Sequence, residues 1–131
     1  MSEVVKKVTI QAPLEKVWEA LTDLRAIVAW MDDETAQIDL TVGGKYTVFG
    51  GDTTGKFTRI EAPRHLEYTW RMSEWCKSWN DTVVTWSLRK QGAGTRVTLV
   101  HSQFPNEEER TGHESGWDDY WLSPMKAWLE R

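Results

Sequence analysis

Gly116 to Glu130 reads GWDDYWLSPMKAWLE, and the spacing within it decides how the rest of the chain folds. At about 100° per residue, Trp117, Trp121, Met125 and Trp128 fall on one side of a helix, flanked by Tyr120, Leu122, Pro124 and Leu129. Asp119, Ser123, Lys126 and Glu130 take the opposite side. A terminal helix with three tryptophans on one face needs a broad apolar surface to cover them. The preceding chain is therefore expected to build a curved sheet that receives it. Pro124 removes one helical hydrogen bond and predicts a kink near the end. Upstream, Asn106 with Glu109 predicts a capping box, and Thr111-Gly112 a weak first turn.

The rest of the chain supplies the sheet. Val4 to Ile10 alternates as a strand with one apolar face. Pro13 to Leu21 reads as a short helix, with Leu14, Val17, Trp18 and Leu21 at helical spacing and Glu15 near its positive end. Asp23 caps a second short helix whose buried side is predicted to be Leu24, Ile27, Val28 and Met31. From Thr35 to His101 the period switches to two. Gln37 to Leu40, Lys45 to Phe49 and Gly55 to Glu61 are strands separated by Gly43-Gly44 and Gly50-Gly51-Asp52. Ala62-Pro63-Arg64 is a break. Leu66, Tyr68, Trp70 and Met72 then share a face against His65, Glu67, Thr69 and Arg71. After a loop from Ser73 to Asn80, Asp81 to Lys90 and Thr95 to Ser102 form a hairpin across Gln91-Gly92-Ala93-Gly94. Thr82, Val84, Trp86 and Leu88 share one of its faces, as do Val97, Leu99 and His101. The expected fold is α+β, one domain over residues 1–131: a six- to seven-stranded antiparallel sheet around a long C-terminal helix, with two short helices after the first strand.

Charge and composition exclude several functions. The net charge is −4, with acidic runs at Asp32-Asp33-Glu34 and Glu107-Glu108-Glu109, so a nucleic-acid partner is not expected. A single cysteine, Cys76, allows no intrachain disulfide. The opening MSEVVKKVTI lacks the apolar core of a secretory leader, and no apolar run approaches about 18 residues. The expectation is a soluble, cytoplasmic protein without a membrane span. Nine tryptophans, each able to bury roughly 150–250 Å², suit either a heavy aromatic core or an aromatic-lined cavity.

Several stretches resemble one family when read together. They are APLEKVWEALTD at Ala12–Asp23 with Trp30 after it, DLTVGGKY at Asp39–Tyr46, and GKFTRIEAPRHLEYTW at Gly55–Trp70. TRVTLVHSQF at Thr95–Phe104 and HESGW at His113–Trp117 complete the set. In this order they resemble the helix-grip fold of the START-like (SRPBCC) superfamily. Within it, they are similar to the family named after the activator of the ninety-kilodalton heat-shock chaperone's ATPase. The resemblance implies a cavity between the concave sheet and the terminal helix, usually holding a small apolar or amphipathic ligand. It also implies a chaperone partner as the alternative, although the eukaryotic co-chaperone's additional N-terminal domain falls outside the matching stretches.

Chemistry-bearing motifs are few. Gly43-Gly44 and Gly50-Gly51 read as hairpin turns rather than a phosphate loop, and no cofactor is expected. The three histidines lack zinc spacing, and Asp32-Asp33-Glu34 lacks the alternation of a calcium loop, so no metal is expected and a solvated acidic turn is the simpler reading. Parity turns His101 toward the terminal helix, and extending the wheel backward puts Glu114 near the Trp117–Trp121 face. The two are candidate acid and base for a cyclase- or hydrolase-type enzyme, set against a purely structural histidine. For a cavity, the candidate ligand-binding residues are Tyr46, Tyr68, Trp70, Trp86, His101, Glu114, Trp117 and Trp121. Trp75 and Trp79, in the loop between strands, read equally as a lid or as packing on the sheet edge.

Overall fold

The computed structural model describes residues 3–131. Its strands are β1 (Val4–Ile10), β2 (Gln37–Ile38), β3 (Lys45–Val48), β4 (Thr53–Glu61), β5 (His65–Met72), β6 (Thr82–Gln91) and β7 (Gly94–Ser102). Helices α1 (Leu14–Thr22) and α2 (Leu24–Met31) follow β1, and α3 (Glu107–Trp117) and α4 (Ser123–Leu129) close the chain. All neighbouring strands pair antiparallel in one seven-stranded sheet, in the order β1-β7-β6-β5-β4-β3-β2. The period-two reading holds because one face of this sheet is buried by the terminal helix. Leu66, Tyr68, Trp70, Val84, Trp86, Val97 and Leu99 are all buried on that side.

α1 and α2 dock as a pair. Trp30, not Leu24, forms the buried side of α2 with Ile27, while Leu24 is exposed. The indole of Trp30 donates to the Ala20 carbonyl at 2.8 Å, one of the last carbonyls of α1 and so without a full helical partner. That bond turns α2 about its axis and brings Trp30 inward. Asp23 caps α2 as expected, accepting from the Arg25 and Ala26 amides at 2.9 and 3.4 Å. Asp23→Ala is expected to cost about 1 kcal/mol and lower the thermal midpoint by roughly 3–4 °C, readable by thermal denaturation.

Within the acidic turn Asp32 and Glu34 are exposed, while Asp33 is an anchor. Asp33 accepts from the Phe49 amide at 2.6 Å and from the amide and hydroxyl of Thr35. Burial pushes the Asp33 carboxyl up, but these hydrogen bonds outweigh it and hold the group below its ordinary value. The Phe49 amide is thereby fixed with Phe49 at φ 56°, a left-handed conformation costly for a side chain of this size. Gly50 and Gly51 continue the left-handed turn at φ 68° and 93°, where a Cβ would be strained. The turn delivers the Phe49 ring to the side of Trp121, with centroids 6.1 Å apart.

The terminal helix departs from expectation in two places. α3 runs unbroken through Thr111-Gly112. The irregularity caused by Pro124 lies one turn before it: Asp118–Leu122 is a π-helical turn, and the Ser123 amide reaches back five residues to Asp118. Pro124 has no amide to give Tyr120, so the ladder changes register ahead of it and Pro124 sits in the first turn of α4. Trp117, Trp121, Leu122 and Met125 are buried, whereas Trp128 is only partly covered and stacks under the Arg131 guanidinium at 4.2 Å.

Candidate functional site

Between α3, the π turn and the β4–β5 part of the sheet lies a cavity of about 590 Å³. The sheet contributes Thr53, Trp70 and Met72, and the turn after β3 contributes Phe49 and Asp52. From the helix come Glu108, Glu109, Gly112, His113, Gly116, Trp117, Tyr120 and Trp121. Gly112 and Gly116 stand one turn apart, and a Cβ built on either meets nothing within 4 Å. The helix is therefore bare where it faces the open space. The cavity belongs to the front half of the terminal helix and does not reach the fully buried Met125.

The eight expected ligand-binding residues separate. Trp70, Trp117 and Trp121 line this cavity. Tyr46 and Tyr68 line a second space of only about 20 Å³ under α2, room for one water. There the Tyr46 hydroxyl donates to the Thr69 carbonyl at 2.6 Å, and the Tyr68 hydroxyl accepts from the Trp86 indole at 2.9 Å. Burial raises the pKa of both phenols, so both stay neutral. Trp86 is sealed in the core. Trp121 stands in the wall of both spaces, and its indole N–H is buried with no acceptor among the described residues.

His101 and Glu114, the candidate acid and base, are not brought together as a pair. His101 is 0% exposed, closed off behind Trp70 and Trp117. Indole N–H groups only donate, which settles the state of this imidazole. Trp117 donates to Nδ1 at 3.0 Å, so Nε2 carries the proton toward the Thr82 hydroxyl at 2.7 Å, and Thr82 in turn donates to the Trp70 carbonyl at 2.8 Å. Burial, with His113 beside it, lowers the His101 pKa to about 2. A neutral imidazole with both nitrogens engaged has no proton to exchange with a substrate. Glu114 lies on the helix stripe that faces β1, in line with Arg110 and Asp118. It meets Lys6 at 3.8 Å and Arg110 at 4.0 Å, while Lys6 also holds Asp118 at 2.8 Å. The wheel set Glu114 near the Trp117–Trp121 face, whereas its carboxylate meets Lys6 and Arg110 and does not line the cavity.

His113 is the residue that sequence reasoning missed. It lies four residues before Trp117 on the same stripe, which was the available signal. It accepts from the Trp70 indole at 3.1 Å through Nε2, leaving Nδ1 to donate to the Glu109 carbonyl at 2.8 Å. Glu109 also breaks the expected capping box. Asn106 accepts from the Glu109 amide at 2.9 Å, but the Glu109 carboxylate turns away and accepts from the Trp75 indole at 2.7 Å. Trp75 is thus buried against the start of α3. Its loop is held from below by Arg71, which donates to the Cys76 and Trp79 carbonyls. Among the described residues, no three His, Cys, Asp or Glu side chains converge as a metal would require. No helix there is long and apolar enough to cross a membrane.

One family model, Activator of Hsp90 ATPase homolog 1-like protein, matches residues 11–130 of this chain. The chain belongs to that family. The mouse activator of 90 kDa heat shock protein ATPase homolog 1 is 26% identical over 125 residues, covering 95% of this chain and 36% of that protein. The chain thus spans little more than a third of the length of the curated relatives it matches. An HSP90 activator from Plasmodium falciparum superposes with a TM-score of 0.88 at 23% identity, covering 98% of this chain and 96% of that one. CalU16 from Micromonospora echinospora gives 0.78 at 27% identity, over 94% and 75% of the two chains. The overall layout of this chain is therefore shared with these structures.

Proposed function

We propose that this activator-family domain binds a small hydrophobic or amphipathic molecule in the cavity beside α3. The observation that carries the reading is the open space itself. It measures about 590 Å³, within the range of small-molecule sites, and two glycines leave the helix bare against it. Each interior glycine costs a helix about 1 kcal/mol relative to alanine, a cost without purpose if the space held nothing. Binding would remove apolar ligand surface from water against the indoles of Trp70, Trp117 and Trp121, in a protein expected to be cytoplasmic. Titration with Nile red, an uncharged apolar dye, is expected to show one saturable, blue-shifted site per chain, with matching tryptophan quenching. A linear, unsaturable response would remove this reading.

Kinship with activators of the ninety-kilodalton heat-shock chaperone favours a second reading, engagement of that chaperone through the outer surface. The two readings separate in one assay. Stimulation of the chaperone's ATP turnover that survives filling of the cavity supports the surface. Stimulation lost on filling ties the two together.

A further inference from the structure

We propose that the cavity selects a hydrophobic cation, an aromatic or aliphatic ammonium, over neutral and anionic molecules of the same shape. The proposal rests on the cavity being a binding site and names the charge of its occupant. Its walls carry aromatic rings from three elements: Phe49 from the turn, Trp70 from β5, and Trp117 and Tyr120 from the terminal helix. Tyr120 is 68% exposed, a large ring left at the mouth with little to cover it. Three carboxylates share the lining, Asp52 on one wall and Glu108 and Glu109 on the other, and no lysine or arginine joins them.

None of these three carboxylates has a salt-bridge partner among the described residues. The nearby basic residues serve the other side of α3, where Arg110 pairs with Glu107 and Lys6 with Asp118. Acidic residues in a first helical turn are ordinary, because they offset the positive end of the helix. That accounts for Glu108 and Glu109 as residues of α3; Asp52, which accepts from the Ser73 hydroxyl at 3.3 Å, reaches the same space from the opposing wall. A fatty acid or phosphate ester would bring a negative charge among three others. A quaternary ammonium is attracted by the carboxylates and by the aromatic rings together.

The test compares three probes by tryptophan quenching and calorimetry on the full chain: benzyltriethylammonium, its uncharged isostere with carbon in place of nitrogen, and phenylacetate. The ammonium is expected to bind about tenfold or more tighter than the isostere, with phenylacetate weakest. In an Asp52→Asn, Glu108→Gln double variant, both sites being exposed, the ammonium-to-isostere ratio is expected to collapse at least about threefold. Equal or tighter binding of the isostere or phenylacetate overturns the charge preference and leaves the apolar site standing. So does a ratio unchanged in the variant. Failure of all three probes to bind, together with Nile red, removes the cavity reading and this one with it.

Discussion

Lowering the pH from 7 to 5 is expected to cost this fold about 2 kcal/mol through His101 alone. The imidazole's ordinary pKa is 6.5, and in the folded chain it falls to about 2 because the ring is buried and faces His113. Between those values the unfolded chain holds a proton at position 101 that the folded chain does not. Unfolding therefore takes up a proton there, and stability rises with pH across the window and falls as pH drops below about 6.5. The slope is about 1.4 kcal/mol per pH unit for one proton. Urea midpoints measured at intervals between pH 7 and pH 5 read this directly. The control is His101→Gln, whose amide can accept from the Trp117 indole and donate to Thr82 but does not titrate. It should be less stable than the parent at pH 7 and should lose most of the slope. A slope equal in parent and variant would show that His101 does not carry the acid sensitivity. His101→Leu, which leaves the Trp117 N–H and the Thr82 hydroxyl short of a partner in the core, should cost about 2–4 kcal/mol at pH 7.

The strands and the docking of the terminal helix were legible because period two and period 3.6 are properties of the chain itself. Trp70, Trp86 and Leu99 had only one face on which to be buried. Side-chain pairings were not legible, because each depends on which element arrives opposite. Glu114 and His113 are adjacent in sequence and both lie near Trp117 on the wheel. Lys6 on β1 takes Glu114 out to one side, and Trp70 on β5 takes His113 in to the other. Asp33 looked like one member of an acidic turn until the Phe49 amide came within 2.6 Å of it. The cavity was hidden for a related reason. Wheel and parity arguments track large apolar residues, whereas Gly112 and Gly116 matter for the side chains they lack.

Filling the space those two glycines leave is expected to stabilise the fold and abolish ligand binding together. Neither Gly112 nor Gly116 has a positive φ, and an added Cβ at either meets no atom within 4 Å. Alanine at both should therefore gain helix propensity without strain, about 2 kcal/mol in all, and raise the thermal midpoint by roughly 7 °C for a chain of this length. Leucine at both retains most of that propensity and sends two branched side chains into the cavity that Trp70 and Trp117 line. Saturable binding of Nile red should then fall by more than about tenfold while the far-ultraviolet circular dichroism stays that of the parent. Site-occupying substitutions usually destabilise, since natural cores are close-packed; a gain in stability on adding eight heavy atoms requires that the space be empty. Two results would each break the argument. A lowered midpoint for the double alanine variant would mean that the glycines serve close packing. Undiminished binding in the double leucine variant would move the ligand elsewhere on the molecule. The expected result has one physical origin: at two positions the helix carries no side chain against an open space.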